Sequence, residues 1–184
     1  MVTATPDLER DLEPDLALAR RVAGGVPDPE LPMLTLADLG VLRGVEVDAA
    51  GSVTATLTPT YSGCPAMAEM RAEVDRRLRA AGFAEVRIRT VLDPPWTTDW
   101  ITAAARRTLA EHGIAPPGIA PPGSTPRPAS GPVPLVLSVR RPSLPCPRCG
   151  SADTEETSRF SGTACKALWR CRACREPFEH LKEI

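Results

Sequence analysis

The stretch Thr58-Pro59-Thr60-Tyr61-Ser62-Gly63-Cys64-Pro65 decides the fold, because it joins a predicted strand to a predicted helix. The β-rich residues 53–57 lead into it, and proline is favoured at the first helical position, so we expect a helix from Pro65. Cys64 then lies beside the helix N-terminus, where unpaired N–H groups and the helix dipole favour the thiolate over the thiol. This position suits a nucleophile or a metal or cluster ligand, and it equally suits a small buried cysteine in a turn.

A stiff loop upstream holds two carboxylates. Residues 8–23 carry apolar side chains at spacings of three and four, which predicts an amphipathic helix that ends at a glycine pair. In the following stretch, 26–32, three prolines exclude a regular helix or a central strand. Asp28 and Glu30 lie in this loop, and the local sequence favours solvated turn residues, with Asp28 capping the turn, over a functional site.

The next elements predict a small α/β domain with a mixed sheet. Alternating apolar residues on both sides of an Asp/Gly turn at 48–51 predict a β-hairpin. The apolar stripe in 65–81 predicts a helix, and the alternation of apolar and polar residues in 85–89 predicts a third strand. The hairpin is antiparallel, whereas the third strand returns parallel to the strand before the helix by a right-handed crossover. The Cys64 turn then lies beyond the carboxyl end of its strand, a usual place for chemistry in α/β proteins.

A second stiff loop, 93–100, contains Trp96 and Trp100 and leads into a helix that we expect to run to about His112. The two tryptophans either wall a site or cover the domain core, and packing is the better-supported interpretation. His112 stands at the helix end before a glycine, where a cation complements the dipole, so a capping role is favoured over a ligand role.

The chain divides at a proline-rich segment. Ten of its 21 prolines fall within residues 115–145, which predicts a semi-rigid extended linker, with a short strand at 134–139 inside it. We therefore predict a first domain at 1–114, a linker at 115–145 and a second, small β domain at 146–184.

Two C-x-x-C pairs define the second domain. Cys146 with Cys149, and Cys171 with Cys174, are separated by 21 residues, a spacing in which two knuckles close on one tetrahedral metal ion. A domain this short needs a bound metal ion to stay folded. Its small core is predicted to consist of Phe160 and Trp169.

This pattern is typical of a zinc ribbon, and iron in the same four-thiolate cage is the main alternative. Cys165 is a fifth cysteine nearby to which the pattern assigns no role, and His180 is not needed for four-coordination.

The composition limits the cellular compartments and the classes of binding partner that we expect. The net charge of -1 gives no general attraction to nucleic acid or to an anionic membrane, and no apolar run approaches the length of a membrane span. Residues 146–184 carry seven Lys or Arg against six Asp or Glu, which is too balanced for a surface that tracks phosphates. Without the pattern of a signal peptide at its N-terminus, we expect a soluble cytoplasmic protein that binds neither nucleic acid nor membrane.

The motifs together resemble known families. Asp28-Pro29-Glu30 followed by Pro59-Thr60-Tyr61-Ser62-Gly63-Cys64-Pro65 is similar to the MIP18-like family of iron–sulfur cluster assembly factors, which includes SufT. With Trp96-Thr97-Thr98-Asp99-Trp100, Gly113-Ile114-Ala115-Pro116-Pro117 and the terminal ribbon, the chain resembles the PaaD (PaaJ) family of accessory proteins of phenylacetyl-CoA epoxidase. The resemblance covers almost the whole chain apart from a longer linker.

The resemblance implies a small mixed-sheet MIP18-like domain and a zinc-ribbon domain in a non-catalytic factor for phenylacetate catabolism. It implies a role in assembling or inserting the iron–sulfur cluster of the epoxidase reductase component. Cys64 would contact a transient cluster or a client's ligand, with Asp28, Glu30 and Thr60 as nearby polar groups of that site. Partners would be the iron–sulfur reductase component, other epoxidase subunits, or a second copy of the chain.

Three alternatives stay open at this point. A thiol enzyme would use Cys64 as its nucleophile, but it needs a base, and only His112 and His180 exist, neither of them near Cys64 in sequence. An electron carrier would hold iron in the four-cysteine site. A structural subunit would only stabilise the epoxidase complex.

Overall fold

The computed structural model describes residues 12–118 and 144–183, which fall into two compact units. The first unit ends at Leu109 and the second runs from Ala110 to Glu183. No helix of the described residues is both long and apolar enough to cross a membrane.

The first unit alternates helices with the strands of one sheet. Its elements are α1 (Leu12–Gly24), β1 (Leu42–Val47), β2 (Val53–Leu57), α2 (Met67–Ala80), β3 (Val86–Thr90), a 3-10 turn (Thr98–Trp100) and α3 (Ala103–Glu111), whose last residues cross the boundary between the units. The predicted start of α1 at residues 8–11 lies outside the described residues.

The sheet has the strand order β1-β2-β3 and is mixed, as predicted. β1 pairs with β2 antiparallel, so that Val45 faces Ala55, and β2 pairs with β3 parallel, so that Ala55 faces Ile88. The two parallel strands are joined by α2, which packs against β3 and α1. The predicted antiparallel hairpin and the parallel return of the third strand are therefore confirmed.

The start of α2 differs from the prediction by two residues. Its N-cap is Ala66, and its first α-type bond runs from the Met70 N–H to the Ala66 carbonyl at 2.9 Å. Pro65 lies in the preceding turn, in which the Met67 N–H donates to the Cys64 carbonyl at 3.3 Å. A proline at N1 and a proline in a turn just before the helix require the same φ, so the sequence alone does not separate them.

The core of the first unit is apolar and closed to solvent. Alternate positions of β2 and one face of α2 point into it, together with residues of the loop before β1. Its largest fully buried side chains are Val26, Leu34, Leu36, Val41, Val53, Leu57, Val74, Leu78 and Leu109.

The second unit is a four-stranded sheet. Its strands are β4 (Ile114–Ala115), β5 (Thr154–Ser158), β6 (Lys166–Cys171) and β7 (Pro177–Leu181), in the order β4-β7-β6-β5. β4 pairs with β7 in parallel, and a strand of two residues leaves no periodicity in the sequence that could predict it. The division at 114 and 145 stays a prediction, and the strand expected at 134–139 lies outside the described residues.

The core of the second unit is small and contains Trp169, as predicted, but not Phe160. Phe160 is 64% exposed, so its predicted core role is wrong. It follows a β-bulge that ends β5, and its ring lies beneath the Lys182 ammonium, 4.5 Å from Nζ to the ring centroid. Phe178 of β7, which pairs with Trp169, fills the core instead.

Candidate functional site

Loops converge at one end of the first sheet, the end at which β2 and β3 finish and β1 begins. The loops are 25–41, 58–66 and 91–102. Backbone and side-chain hydrogen bonds tie them together: the Thr58 N–H donates to the Val41 carbonyl, and the Trp96 Nε1–H to the Leu39 carbonyl, both at 2.9 Å. The Cys64 turn is therefore held by its neighbours at the carboxyl end of β2, where the sequence predicted it.

Cys64 lies half-buried in a tight turn, and its acidity differs from the prediction. The Cys64 N–H donates to the Tyr61 carbonyl at 3.2 Å. Burial raises the pKa of the Cys64 thiol, and the Glu30 and Asp28 carboxylates raise it further, against the lowering effect of the Ala66 and Met67 N–H groups. The expected preference for thiolate is therefore wrong, because burial and two nearby negative charges outweigh the N–H groups that lead into α2.

The structure brings both predicted carboxylates into electrostatic reach of Cys64. Asp28 is 6% exposed, and its Oδ1 accepts the N–H groups of Glu30 and Leu31 at 2.8 Å each. The turn-capping interpretation of Asp28 is confirmed, but the expectation that Asp28 is solvated is wrong, because the loop buries its side chain. The roles of Asp28 and Glu30 at a functional site stay predictions.

Thr60 borders a different groove from the one that Asp28 borders. A groove of about 320 Å³ runs between the loop of Thr60 and the exposed side chain of Leu92, with Trp96 at its base. A groove of about 440 Å³ lies between the Asp28 loop and α2 and is lined in part by Met70. Thr60 and Asp28 thus border different grooves, whereas Asp28 and Glu30 act on Cys64 through their charges.

Four cysteine sulfurs of the second unit form a second candidate site. The Sγ atoms of Cys146, Cys149, Cys171 and Cys174 all lie within 4.8 Å of one another, with 3.8 Å between Cys146 and Cys174 and 3.6 Å between Cys149 and Cys171. A tetrahedral ion with metal–sulfur bonds of about 2.3 Å would hold its sulfurs about 3.8 Å apart. The donor set therefore fits a four-thiolate metal centre.

Both knuckles place the residue after the second cysteine in the left-handed region, Gly150 at φ 73° and Arg175 at φ 65°. The Cys174 N–H points at the Cys171 sulfur at 3.5 Å, and this N–H is the main cause that lowers the pKa of Cys171 to about 7. A thiol of lowered pKa gives up its proton readily to a metal ion.

Cys165 and His180 do not belong to this group of sulfurs. Cys165 is buried, with its sulfur 3.1 Å from the Thr163 hydroxyl oxygen. The His180 ring packs edge-on against Trp169, and burial lowers its pKa. The four-cysteine set stands without His180, as the spacing predicted.

A relative decides the family. The chain is 43% identical over 159 residues to an Escherichia coli protein that is named as one of the subunits of 1,2-phenylacetyl-CoA epoxidase, and the match covers 86% of this chain and 87% of the relative. The chain belongs to the PaaD family. The model of the PaaD zinc beta ribbon domain matches residues 131–182, and the model of the iron-sulfur cluster assembly protein family matches residues 20–89.

Further comparisons each cover about half of this PaaD-family chain. It is 34% identical over 86 residues to an "Fe-S protein maturation auxiliary factor" of Porphyromonas gingivalis, which covers 46% of this chain and 81% of the relative. A solved structure of a "Domain of Unknown Function DUF59" from Bacillus anthracis matches with a TM-score of 0.51 at 24% identity, covering 55% of this chain and 96% of the other. This structural match supports the fold alone.

One close contact near the PaaD-family site was missed from the sequence. Gly40 has φ 68°, and a Cβ there would lie 2.5 Å from the Trp100 Cβ. The Arg43 guanidinium in turn stacks over the Trp100 ring, 3.4 Å from its centroid. The packing interpretation is confirmed for Trp96, which is 4% exposed. The signal that was available was the glycine itself, which both its positive φ and its contact with Trp100 require.

Proposed function

We propose that this chain is a non-catalytic accessory factor of a phenylacetyl-CoA epoxidase system and assists the assembly or insertion of an iron–sulfur cluster in the reductase component. Its family membership and the match of residues 20–89 to an assembly-protein family support this function. The observation that carries it is the Cys64 site, where a half-buried thiol lies within the electrostatic influence of two carboxylates at the carboxyl end of the sheet.

The cluster is cargo in this proposal, not a resident cofactor. Cys64 is the only cysteine among residues 1–109, and iron–sulfur clusters normally take four protein ligands. A single thiolate therefore needs ligands from the client, a second copy of the chain or a small thiol. Such an incomplete ligand set favours passing a cluster on over keeping it.

The acidity of Cys64 fits this use. A thiol with a raised pKa stays protonated at neutral pH, so it is a weak nucleophile and a weak ligand until a positive ion approaches. Iron lowers the pKa of a thiol that binds it and cancels part of the field of Asp28 and Glu30. The two carboxylates thus disfavour the free thiolate and favour the iron-bound one.

The metal of the second unit is proposed to be zinc, with a structural role. The four sulfurs are at the separations that a tetrahedral ion requires, and two of them, Cys146 and Cys171, are buried. A closed four-thiolate site leaves no open position for a substrate or water, which is the arrangement of structural zinc. The same cage would also hold a single iron ion, and metal analysis separates the two.

The test is the cluster content of the client. The epoxidase components are produced in cells that contain the wild-type chain, Cys64→Ser, or Cys165→Ala, which removes a thiol far from Cys64 in sequence. We expect the reductase component to be isolated cluster-poor with Cys64→Ser and fully loaded with Cys165→Ala. A fully loaded reductase with Cys64→Ser would overturn the proposal, and stoichiometric co-purification with the epoxidase would then favour a structural subunit.

A further inference from the structure

One face of the first sheet carries side chains that are exposed or half-buried. The strand register places one set of side chains on the side away from the core: Gly44, Glu46, Thr54, Thr56, Arg87 and Arg89. These residues form two rows across the strands, Glu46 to Thr54 to Arg87 and Gly44 to Thr56 to Arg89. We call this set the outer face.

The outer face is flat and positively charged. The middle of this face carries the small residues Gly44, Thr54 and Thr56, and both arginines on β3 are exposed. A β-bulge on β1 inserts the exposed Arg43 directly before Gly44, and its guanidinium stacks on Trp100. Three arginines against one carboxylate, Glu46, give this face a positive charge on a chain whose net charge is -1.

These arginines differ from the arginines of α2 in their partners. On α2, Glu73 pairs with Arg76 and Arg77 at 2.6 Å each, and Asp75 pairs with Arg79 at 2.9 Å. Within residues 12–118, by contrast, none of the ion pairs includes Arg43, Arg87 or Arg89. Three of the four arginines of α2 are thus neutralised locally, with Arg71 as the exception, whereas the three arginines of the sheet are available to carboxylates from outside.

The geometry favours carboxylates as the groups that these arginines recognise. Guanidinium groups bind carboxylates through paired N–H donors, and the strands fix the arginine Cα positions in two neighbouring rows. Arg43 is further ordered by its stack on Trp100, which lowers the entropy lost on binding. Alternating Thr hydroxyls between the arginines add hydrogen-bond donors without blocking the approach of a flat surface.

We propose that the outer face docks a carboxylate-rich surface of the client protein. The row of Thr56 and Arg89 lies next to the carboxyl ends of β2 and β3, where the Cys64 loop begins, so a protein seated on this face also reaches the edge of the sheet that holds the site. This inference deepens the proposed function and rests on it for the identity of the client. Charge complementarity sets the encounter and the orientation, while Cys64 acts afterwards.

The test separates docking from cluster handling. The purified iron–sulfur component of the epoxidase is titrated with the full-length chain at about 0.05 M and about 0.5 M salt, since screening weakens exposed charge pairs. Arg87→Glu with Arg89→Glu is compared with a matched double reversal on exposed helix positions, Arg20→Glu with Arg107→Glu. Both doubles change the net charge equally, and circular dichroism checks that both stay folded.

We expect the Arg87/Arg89 reversal to weaken binding at least about tenfold at low salt, the helix reversal to weaken it less than about threefold, and high salt to remove the difference. Cys64→Ser should bind like the wild type. Equal affinities of the two doubles would overturn the docking proposal. If the client is cluster-poor with Cys64→Ser but binds the two double reversals equally well, the docking proposal is overturned and the proposed function stands.

Two other occupants of the outer face are outcomes of the same experiment. Removal of residues 1–11, which include Asp7, Glu9 and Asp11, should leave the affinity for the client unchanged. A tenfold gain of affinity on this removal would make the chain's own acidic segment the occupant and overturn the proposal. Binding of a labelled oligonucleotide that is lost in the Arg87/Arg89 reversal would assign the face to nucleic acid, which also contradicts it.

Discussion

The two units of this chain use cysteine in opposite ways, and their surroundings explain the difference. In the first unit an apolar core holds the fold, and Cys64 lies half-buried at its edge with a raised pKa. In the second unit four sulfurs converge: the N–H of Cys174 lowers the pKa of Cys171 to about 7, whereas, against the N–H of Glu176, burial and the neighbouring sulfurs raise the pKa of Cys174 to about 12. The residue type alone thus does not set the role of a thiol; the neighbouring donors and charges do.

The units also differ in what keeps them folded. The first buries nine large apolar side chains completely, from Val26 to Leu109. The core of the second consists of Trp169, Phe178, small alanines and two of the cysteines themselves. We infer that packing stabilises the first unit and that metal binding stabilises the second.

The largest expected effect is that of removing the metal from the second unit. Cys171→Ser, or a strong chelator, should unfold the second unit, because structural zinc in small domains contributes about 10–16 kcal/mol of folding free energy. The first unit should stay folded. Amide spectra would show collapse of the signals of β5, β6 and β7 with those of β1, β2 and β3 unchanged, whereas simultaneous loss of both sets would contradict the separation.

A core truncation tests the first unit in the same way. Leu57→Ala should cost about 2–5 kcal/mol, because Leu57 is fully buried and the truncation leaves a cavity. Leu92→Ala is the matched control: Leu92 is 60% exposed, and its truncation should cost about 0.5 kcal/mol or less. Denaturant unfolding measures both, with the metal content of the second unit unchanged, and equal costs would refute the packing account.

Two glycine substitutions test how tightly the loops around Cys64 are packed. Gly40→Ala should cost about 2–4 kcal/mol, since it combines strain at a positive φ with a close contact to Trp100. Gly51→Ala has the strain alone, with φ 77° and no atom within 4 Å, and should cost about 1–2 kcal/mol. The difference in the free energy of unfolding isolates the Trp100 contact, and its absence would show that the loops relax.

The smallest expected effect concerns the acidity of Cys64. Glu30→Gln removes a negative charge that raises the pKa of the thiol, so the pKa should fall and more thiolate should be present at pH 8. Alkylation by iodoacetamide should then be faster, by less than about tenfold. Glu46→Gln, on the outer face, serves as the control, and equal rates for both variants would remove Glu30 from the surroundings of Cys64.

Sequence patterns predicted the features that repeat or that recur at fixed spacing. The hairpin, the stripe of α2 and the alternation of β3 determine the mixed sheet, and the two C-x-x-C pairs determine the four-sulfur group. In each case several residues carry the same signal, so local errors do not change the result.

The features that failed depend on single contacts between distant residues. Phe160 is apolar, but it lies beyond the end of β5 and is exposed. The raised pKa of Cys64 comes from burial and from carboxylates that precede it by more than thirty residues. The contact of Gly40 with Trp100 likewise joins two loops. No pattern within a window of sequence contains such contacts.

The most direct test of the central claim is the metal and sulfide content of the anaerobically purified protein, wild type beside Cys64→Ser and Cys171→Ser. The account predicts about one zinc per chain in the wild type and in Cys64→Ser, and, since the cluster is passed on and not kept, a substoichiometric amount of iron with acid-labile sulfide only where Cys64 is present. Iron that is lost with Cys171→Ser but retained with Cys64→Ser would contradict the account, because it would assign the redox metal to the four-cysteine site and leave Cys64 without a cluster.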